Sequence, residues 1–251
     1  MARYTINGIE EVKRISWYEN FETLRGKDMK LINADCMEVM KEYPDKYFDL
    51  AIVDPPYGIG ASKDNSVYGK SGKSNTFKSK LKKHKSKSWD ESIPCEDYFL
   101  QLQRISKNQI IWGGNYFTDF LYPVKSWIFW YKKITNPNNK NFSDGELAWC
   151  SNMGITRYFA VDWIGFGYIN SCEKKIHPTQ KPVKLYSMVY EKYSKPEYKI
   201  LDTHLGSGSN AIAWHYYSMG KGEFVGIEID KDYFQAAQER IKNQTQQLTM
   251  F

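Results

Sequence analysis

Long apolar runs are missing from this sequence of 251 residues. No stretch approaches the roughly 18 consecutive apolar residues that a membrane-spanning helix needs, which excludes a membrane-embedded protein. The first residues, Met1 to Tyr4, lead into a mixed polar segment and not into the apolar core of a signal peptide. We therefore expect no membrane partner and a cytoplasmic location.

Cysteine and histidine are also scarce, with four of each. The cysteines, Cys36, Cys95, Cys150 and Cys172, contain no Cys-x-x-Cys pair, and the histidines lack the spacing of zinc ligands. This distribution argues against a disulfide scaffold and against a structural metal. We expect reduced, packed thiols and no bound metal.

Acidic residues are absent from one long segment, and this is where the positive charge is concentrated. The formal net charge is +6, yet the segment from Asn65 to Ser88 alone contains eight lysines and no acid. The rest of the chain is therefore slightly acidic. A local cluster of this kind predicts a polyanionic partner, although a solvated surface loop is the alternative interpretation.

What the sequence does contain is an alternation of β-rich and helical patterns from Met29 onward. Strands are predicted at 29–32, 48–53, 109–112, 126–130, 199–201 and 224–227, and helices at 36–43, 96–105, 182–193, 210–219 and 232–243. The alternation predicts an α/β fold with a doubly wound, mostly parallel sheet. Ligands of such sheets lie beyond the carboxyl ends of the strands, where the polar and glycine-rich motifs of this chain fall.

The most specific motif is Asp54-Pro55-Pro56-Tyr57, directly after a buried apolar strand. Two prolines cannot continue a sheet and instead stiffen a turn. An exocyclic base amine is a poor nucleophile because its lone pair is delocalised, and acceptors aimed at its protons favour the attacking form. The Asp54 carboxylate and the Pro55 carbonyl are such acceptors, and Tyr57 offers a ring on which an extruded base can stack. The motif therefore predicts chemistry on a base amine.

A second motif combines an acid with a glycine turn. Gly206 and Gly208 begin a G-x-G-x-x-A pattern that would also suit a dinucleotide. Asp202, however, precedes the glycines, where its carboxylate would repel a pyrophosphate. It suits a cation such as S-adenosylmethionine, which carries a sulfonium and an ammonium. Glu228, at the end of the next strand, is positioned to accept from the ribose hydroxyls of either cofactor.

With these motifs the chain resembles the β-group of DNA amino-methyltransferases, in which the catalytic Asp-Pro-Pro-Tyr precedes the cofactor glycine turn. The similarity extends from about Lys30 to Ile241 and includes three further segments, 110–115, 142–149 and 177–182. One departure follows Asp202. The family usually has proline and then an aromatic or small residue, whereas this chain has Thr203 and His204.

The resemblance implies S-adenosylmethionine-dependent methylation of double-stranded DNA on a circularly permuted Rossmann-like methyltransferase sheet with a small target-recognition region. The implied catalytic residues are Asp54, Pro55, Pro56 and Tyr57. The implied cofactor-binding residues are Asp35, Cys36, Lys181, Pro182, Asp202, Gly206, Gly208 and Glu228. An aspartate at the first position of the tetrapeptide favours adenine N6, and cytosine N4 stays the alternative.

The resemblance also divides the chain. We expect an N-terminal segment without an assigned role (1–28), a catalytic half (29–132) with a basic loop (61–92), a target-recognition region (133–175) and a cofactor-binding half (176–251). The basic loop is expected to contact DNA phosphates through Lys78, Lys80, Lys82, Lys83, Lys85 and Lys87. Aromatic and asparagine side chains in the region 133–175 suit base recognition. A homodimer and a restriction endonuclease partner are left open.

Two other classes of function compete with methylation. A DNA-binding protein without activity would not need the intact Asp54–Tyr57 motif together with the acids Asp202 and Glu228. A nicotinamide-dependent oxidoreductase built on the Gly206 turn would leave the Asp54–Tyr57 motif unexplained. Both alternatives are therefore weaker than a methyltransferase.

Overall fold

The structure is a computed structural model that describes residues 21–23, 29–60, 90–134, 143–151, 153–163 and 175–246. The six lysines expected to contact DNA lie outside the described residues. So do most of the N-terminal segment and parts of the region 133–175. Within the described part of the chain, no helix is both long enough and apolar enough to span a membrane.

The described residues form one nine-stranded sheet with five α-helices. The strands are β1 (Phe21–Thr23), β2 (Met29–Asn33), β3 (Phe48–Val53), β4 (Ser106–Trp112), β5 (Trp127–Tyr131), β6 (Gly145–Cys150), β7 (Arg157–Ala160), β8 (Lys199–Asp202) and β9 (Glu223–Glu228). The helices are α1 (Cys36–Lys41), α2 (Glu96–Ile105), α3 (Val183–Tyr193), α4 (Ser209–Ser218) and α5 (Lys231–Gln246).

The strand order is β1-β2-β9-β8-β3-β4-β6-β5-β7. Strands β2, β9, β8, β3 and β4 pair in parallel, and β5 pairs in parallel with β7. β1 and β6 pair antiparallel with their neighbours. The predicted mostly parallel sheet is therefore confirmed, and the carboxyl ends of its five central strands meet at one edge.

Helices cover both faces of the sheet, because neighbouring residues of each buried strand point to opposite sides. In β3, Ile52 packs in the apolar cluster that includes α3, α4 and α5. The next residue, Val53, packs in the cluster that includes α1 and α2. The two clusters make the fold doubly wound, as predicted.

The predicted helices and strands all occur, with shifts at their ends. The largest shifts are in β4, which starts at Ser106 directly after α2, and in α5, which ends at Gln246. Three strands were not predicted, namely β1, β6 and β7. Of these, β6 and β7 lie within the region 133–175, and β6 is inserted into the main sheet between β4 and β5.

Candidate active site

The two predicted motifs lie beside each other at the carboxyl edge of the sheet. Asp54 follows β3 and Asp202 ends β8, and these two strands are adjacent. Their register pairs Ala51 with Leu201, which sets Asp202 close to Ile52, two residues before Asp54. The parallel topology thus joins segments that are far apart in the chain.

The Asp54–Tyr57 turn is held by contacts of the tyrosine hydroxyl and of its ring. The Tyr57 hydroxyl donates to Asp54 Oδ1 at 2.7 Å. One side of its ring packs on Gly113, where an added Cβ would lie only 2.2 Å from a ring carbon. Tyr116 stacks on the Tyr57 ring with centroids 5.0 Å apart. Gly113 is therefore required for the position of Tyr57, both for space and for its φ of 71°.

A buried acid that follows the lysine-rich segment supports the same turn. The Asp90 carboxylate accepts from the backbone N–H groups of Tyr57 at 2.8 Å and Gly58 at 3.0 Å. The Asp90 carbonyl in turn accepts from the Gly60 N–H at 3.0 Å. Asp90 was not predicted from the sequence, because nothing in the run around it marks a backbone acceptor.

A buried lysine contacts the Asp54 carboxylate directly. Lys181 Nζ lies 2.5 Å from Asp54 Oδ2 and donates to the Tyr57 hydroxyl at 3.2 Å. It also lies 3.2 Å from Glu146 Oε2, and Glu146 Oε1 accepts from Lys132 at 2.7 Å. Lys181 was predicted to bind the cofactor, which stays a prediction, and its ammonium contacts the carboxylate of Asp54, a predicted catalytic residue. Glu146 was not identified as a site residue.

These charges shift the protonation equilibria of both carboxyls. Burial raises the pKa of Asp54, and the Lys181 ammonium opposes that rise. Burial would also raise the pKa of Glu146, but the ammonium groups of Lys181 and Lys132 outweigh it and hold the pKa at about 2. Glu146 is therefore ionised at neutral pH.

Asp202 is buried, with 3% of its surface exposed. Its carboxylate accepts from Asn210 Nδ2 at 2.9 Å and from the His204 N–H at 3.1 Å. Burial raises the pKa of Asp202 to about 7, against the effect of these hydrogen bonds. A cationic ligand next to such a carboxyl would stabilise its ionised form and lower its pKa.

The glycine turn after Asp202 is held by Glu228. Gly206 and Gly208 have φ values of 52° and 75°, a region that other residues rarely adopt. The Gly206 N–H donates to Glu228 Oε2 at 2.9 Å, and the Asp230 N–H donates to Oε1 at 2.9 Å. Glu228 therefore holds the turn through both oxygens of its carboxylate.

Asn210 connects the two motifs and was missed in the sequence. Its side chain is 1% exposed, and Nδ2 donates to both Asp202 Oδ2 at 2.9 Å and the Ile52 carbonyl at 3.1 Å. Its Oδ1 accepts from the Tyr190 hydroxyl. Strand β3, which leads to the predicted catalytic motif, and Asp202, which precedes the glycine turn, thus share the Asn210 amide.

The remaining predicted cofactor residues, Asp35, Cys36 and Pro182, lie at the starts of helices α1 and α3. Asp35 caps α1 by accepting from the Met37 N–H at 2.8 Å, and the following Cys36 begins that helix. Burial, and then the neighbouring Asp35, raise the pKa of the Cys36 thiol to about 12, so it is not a thiolate nucleophile. Pro182 precedes the first residue of α3, directly after Lys181.

The two residues that depart from the family pattern bond to each other. Thr203 Oγ1 lies 3.0 Å from His204 Nδ1 and 2.7 Å from the Tyr98 hydroxyl. Burial lowers the pKa of His204 to about 4, so the ring is neutral at physiological pH. Thr203 and His204 therefore add a series of hydrogen-bonded polar groups beside Asp202 without adding a charge.

The fold and this site together define a Rossmann-like methyltransferase. Residues 48–239 match the DNA methylase family, and the chain belongs to that family. In the sequence it is similar to the type II methyltransferase M.HpaI of Haemophilus parainfluenzae, with 26% identity over 254 residues covering 86% of this chain and 75% of the relative.

The fold is similar to the folds of solved DNA methyltransferase structures. The M1.HpyAVI–SAM complex matches with a TM-score of 0.55 and 20% identity, covering 85% of this chain and 98% of that one. The cytosine-N4-specific PvuII DNA methyltransferase matches with a TM-score of 0.55 and 13% identity, covering 91% of this chain and 95% of the other. At these identities the likeness concerns the fold.

Proposed function

We propose that this DNA methylase transfers the methyl group of S-adenosylmethionine to N6 of an adenine extruded from double-stranded DNA. One observation carries the proposal. The Asp54 carboxylate, aligned by Tyr57, directly follows β3, and the adjacent β8 ends in Asp202, just before the glycine turn. A base amine and a methyl donor held at these two strand ends would be neighbours.

The described residues fit a cationic adenosine cofactor. When bound, S-adenosylmethionine supplies a methyl group on a positively charged sulfur. Asp202 offers a buried carboxylate whose ionisation a cation would favour. The positive φ values of Gly206 and Gly208 allow close backbone approach, and the Glu228 carboxylate lies beside this turn, where an acid suits ribose hydroxyls. Asp35 lies in the turn after β2, next to β9, which ends in Glu228.

Asp54 and Pro55 supply the acceptors that the amine needs. A carboxylate that accepts a hydrogen bond from the amine favours the pyramidal form of the nitrogen, in which the lone pair is available to attack the methyl carbon as its bond to sulfur breaks. As positive charge grows on that nitrogen, the negative charge of Asp54 stabilises it. The Tyr57 hydroxyl limits the rotation of the Asp54 carboxylate by donating a hydrogen bond to its Oδ1. No covalent intermediate with the protein is required.

The basic segment and the region 133–175 are the parts of the chain that we expect to engage DNA. The eight lysines of the basic segment suit phosphate contacts that position the enzyme, and the region 133–175 suits sequence recognition. Adenine N6 is favoured over cytosine N4 by the aspartate at the first position of the tetrapeptide, as the resemblance to the β-group implies. A homodimer and a restriction endonuclease partner stay outside the proposal.

One experiment tests the reaction and the base together. Unmethylated DNA of mixed sequence is incubated with the protein and S-adenosylmethionine, digested to nucleosides and analysed by mass spectrometry. We expect N6-methyladenine. N4-methylcytosine alone would move the target to cytosine, and the absence of any methylated nucleoside would reject the proposed activity.

A further inference from the structure

A single buried ammonium lies between two carboxylates of the candidate site. Lys181 Nζ contacts Asp54 Oδ2 at 2.5 Å and Glu146 Oε2 at 3.2 Å. The Lys181 side chain is only 4% exposed, so water contributes little to its solvation. Buried charges of this kind depend on their partners, and removal of one partner changes the position or protonation of the rest.

In this arrangement both oxygens of Asp54 are already engaged. Oδ1 accepts from the Tyr57 hydroxyl and Oδ2 contacts Lys181. Under the proposed function, a target amine must also donate to Asp54 and must gain positive charge there. An ammonium at the present position of Lys181 Nζ would repel that charge, because like charges interact strongly where water is excluded. Lys181 therefore needs another partner at that stage.

Glu146 has the capacity to be that partner. Its Oε1 accepts from Lys132 at 2.7 Å, while the buried Oε2 accepts no hydrogen bond of good geometry from the described residues. Lys181 Nζ is already within ion-pair distance of Oε2. A small rotation at the end of a flexible lysine side chain would make the missing bond and release Asp54 Oδ2.

We propose that Glu146 is a positioning residue for methyl transfer, which receives the Lys181 ammonium when the base amine engages Asp54. The inference rests on the proposed function. Glu146 comes to this position because β6 runs antiparallel to β4, so that its amino end lies at the carboxyl edge of the parallel strands. Glu146 acts through Lys181 and does not itself contact the reacting atoms.

The arrangement has a consequence for pH dependence. The negative charge of Glu146 is among the causes that raise the pKa of Asp54, after burial. Without Glu146, Lys181 would pair with Asp54 alone, and the pKa of Asp54 would fall. The other groups that interact with Asp54 come from its own turn, from α2, from the end of β8, from the segment before α3 and from α3: Tyr57, Tyr98, Asp202, Lys181 and Tyr186.

The test compares the Glu146→Gln variant with the wild-type protein. Single-turnover methyl transfer to unmethylated DNA of mixed sequence is measured against pH at saturating tritiated S-adenosylmethionine, and cofactor affinity is measured by calorimetry. We expect the plateau rate to fall about tenfold or more, with the cofactor dissociation constant changed less than about twofold. We also expect the acidic limb of the rate profile to move to lower pH.

Two further variants separate positioning from general damage. Glu146→Asp keeps the charge, and we expect it to restore the wild-type position of the acidic limb and part of the rate. The double variant Lys132→Gln with Glu146→Gln removes one charge of each sign. If Glu146→Gln alone fails to fold, as judged by circular dichroism, the double variant is put through the same measurements.

The outcomes are distinct from those that test the proposed function. An unchanged plateau and limb in Glu146→Gln, or a lower plateau with an unmoved limb and no rescue by Glu146→Asp, would overturn this inference. Methylation would still stand in either case if Asp54→Ala abolished it. Lack of methyl transfer by the wild-type protein would instead overturn the proposed function.

Discussion

The Asp90 carboxylate accepts a hydrogen bond from the backbone N–H of Tyr57 at 2.8 Å. It is a long-range relationship, because the basic segment separates the two residues in the chain. The Asp90 carboxylate also accepts a hydrogen bond from the N–H of Gly58, and the Asp90 backbone carbonyl accepts one from the N–H of Gly60. The Asp54–Tyr57 turn is therefore held at its far side by an acid outside the sheet.

Replacement of Asp90 by alanine should leave the N–H groups of Tyr57 and Gly58 without this acceptor. We expect a stability loss of roughly 1–3 kcal/mol and a lower rate of methyl transfer, with cofactor affinity unchanged. Denaturant unfolding, turnover and calorimetry measure the three quantities. Asp90→Asn keeps one acceptor oxygen and serves as the control. Full turnover in Asp90→Ala would show that the turn does not depend on this bond.

Asp54→Ala removes the proposed acceptor for the target amine. We expect methyl transfer to fall by about 100-fold or more, while S-adenosylmethionine still binds, because the Asp202 side of the site is untouched. Radiolabel incorporation and calorimetry report the two properties separately. Asp54→Asn preserves the volume and controls for packing. A variant that loses cofactor binding but turns over at the normal rate would contradict the role assigned to Asp54.

Cofactor affinity should depend on pH through Asp202. Its carboxyl has a pKa of about 7, and the cationic cofactor favours the ionised form. Affinity should therefore rise, by a factor on the order of ten, between about pH 5.5 and 7.5. Calorimetry in buffers of different ionisation enthalpy should also detect release of a proton on binding at low pH. In Asp202→Asn, which cannot ionise, binding should be weak and nearly independent of pH over that range.

The same raised pKa affects stability with the opposite sign. The folded protein holds a proton on Asp202 between about pH 4 and 7, where the unfolded chain does not. The contribution of this residue to stability without cofactor therefore falls as the pH rises through that window and is level above it. Asp202→Asn should lose this part of the pH dependence, as measured by unfolding in urea at several pH values.

Asn210→Leu should lower the stability of the folded protein by more than the loss of a single hydrogen bond would. It would leave the Ile52 carbonyl, Asp202 Oδ2 and the Tyr190 hydroxyl without their shared partner in the interior. We expect a stability loss of a few kcal/mol, at roughly 1–3 kcal/mol for each buried polar group. The double variant with Tyr190→Phe should be less destabilised than the sum of the two single variants. Full additivity would show that the residues are not coupled.

The lysines at 78, 80, 82, 83, 85 and 87 should set the salt dependence of DNA binding. Their replacement by glutamine should weaken binding to all DNA sequences alike and flatten the dependence of affinity on salt. Fluorescence anisotropy at several salt concentrations measures both effects. A loss confined to the recognised sequence would instead show that the segment reads bases.

The sequence predicted the parallel core of the sheet well, because buried strands and amphipathic helices leave strong periodic patterns. α2 shows this, with Tyr98, Phe99, Leu102 and Ile105 buried on one face. The two main motifs were also visible, since proline and glycine constrain the backbone locally. Their adjacency followed from the general rule for ligand sites in such sheets.

The sequence was less informative about charges that reach the site from distant segments. Glu146 lies on β6, a strand whose antiparallel insertion is decided by tertiary pairing and not by local pattern. Lys181 was assigned from the family resemblance, and only its side-chain geometry reveals the contact with Asp54. Asn210 resembles any polar residue in the first turn of a helix until its partners are known.

The strand order has a consequence for how the chain folds as it is synthesised. β2 and β3 are consecutive in the chain, but β9 and β8 lie between them in the sheet. The gap between β2 and β3 can therefore be filled only after the ribosome has released the residues of β8 and β9. Until then, the edge of β3 that pairs with β8 has no partner strand. Pairings of such long sequence separation form slowly, so aggregation during translation is the hazard that this topology carries.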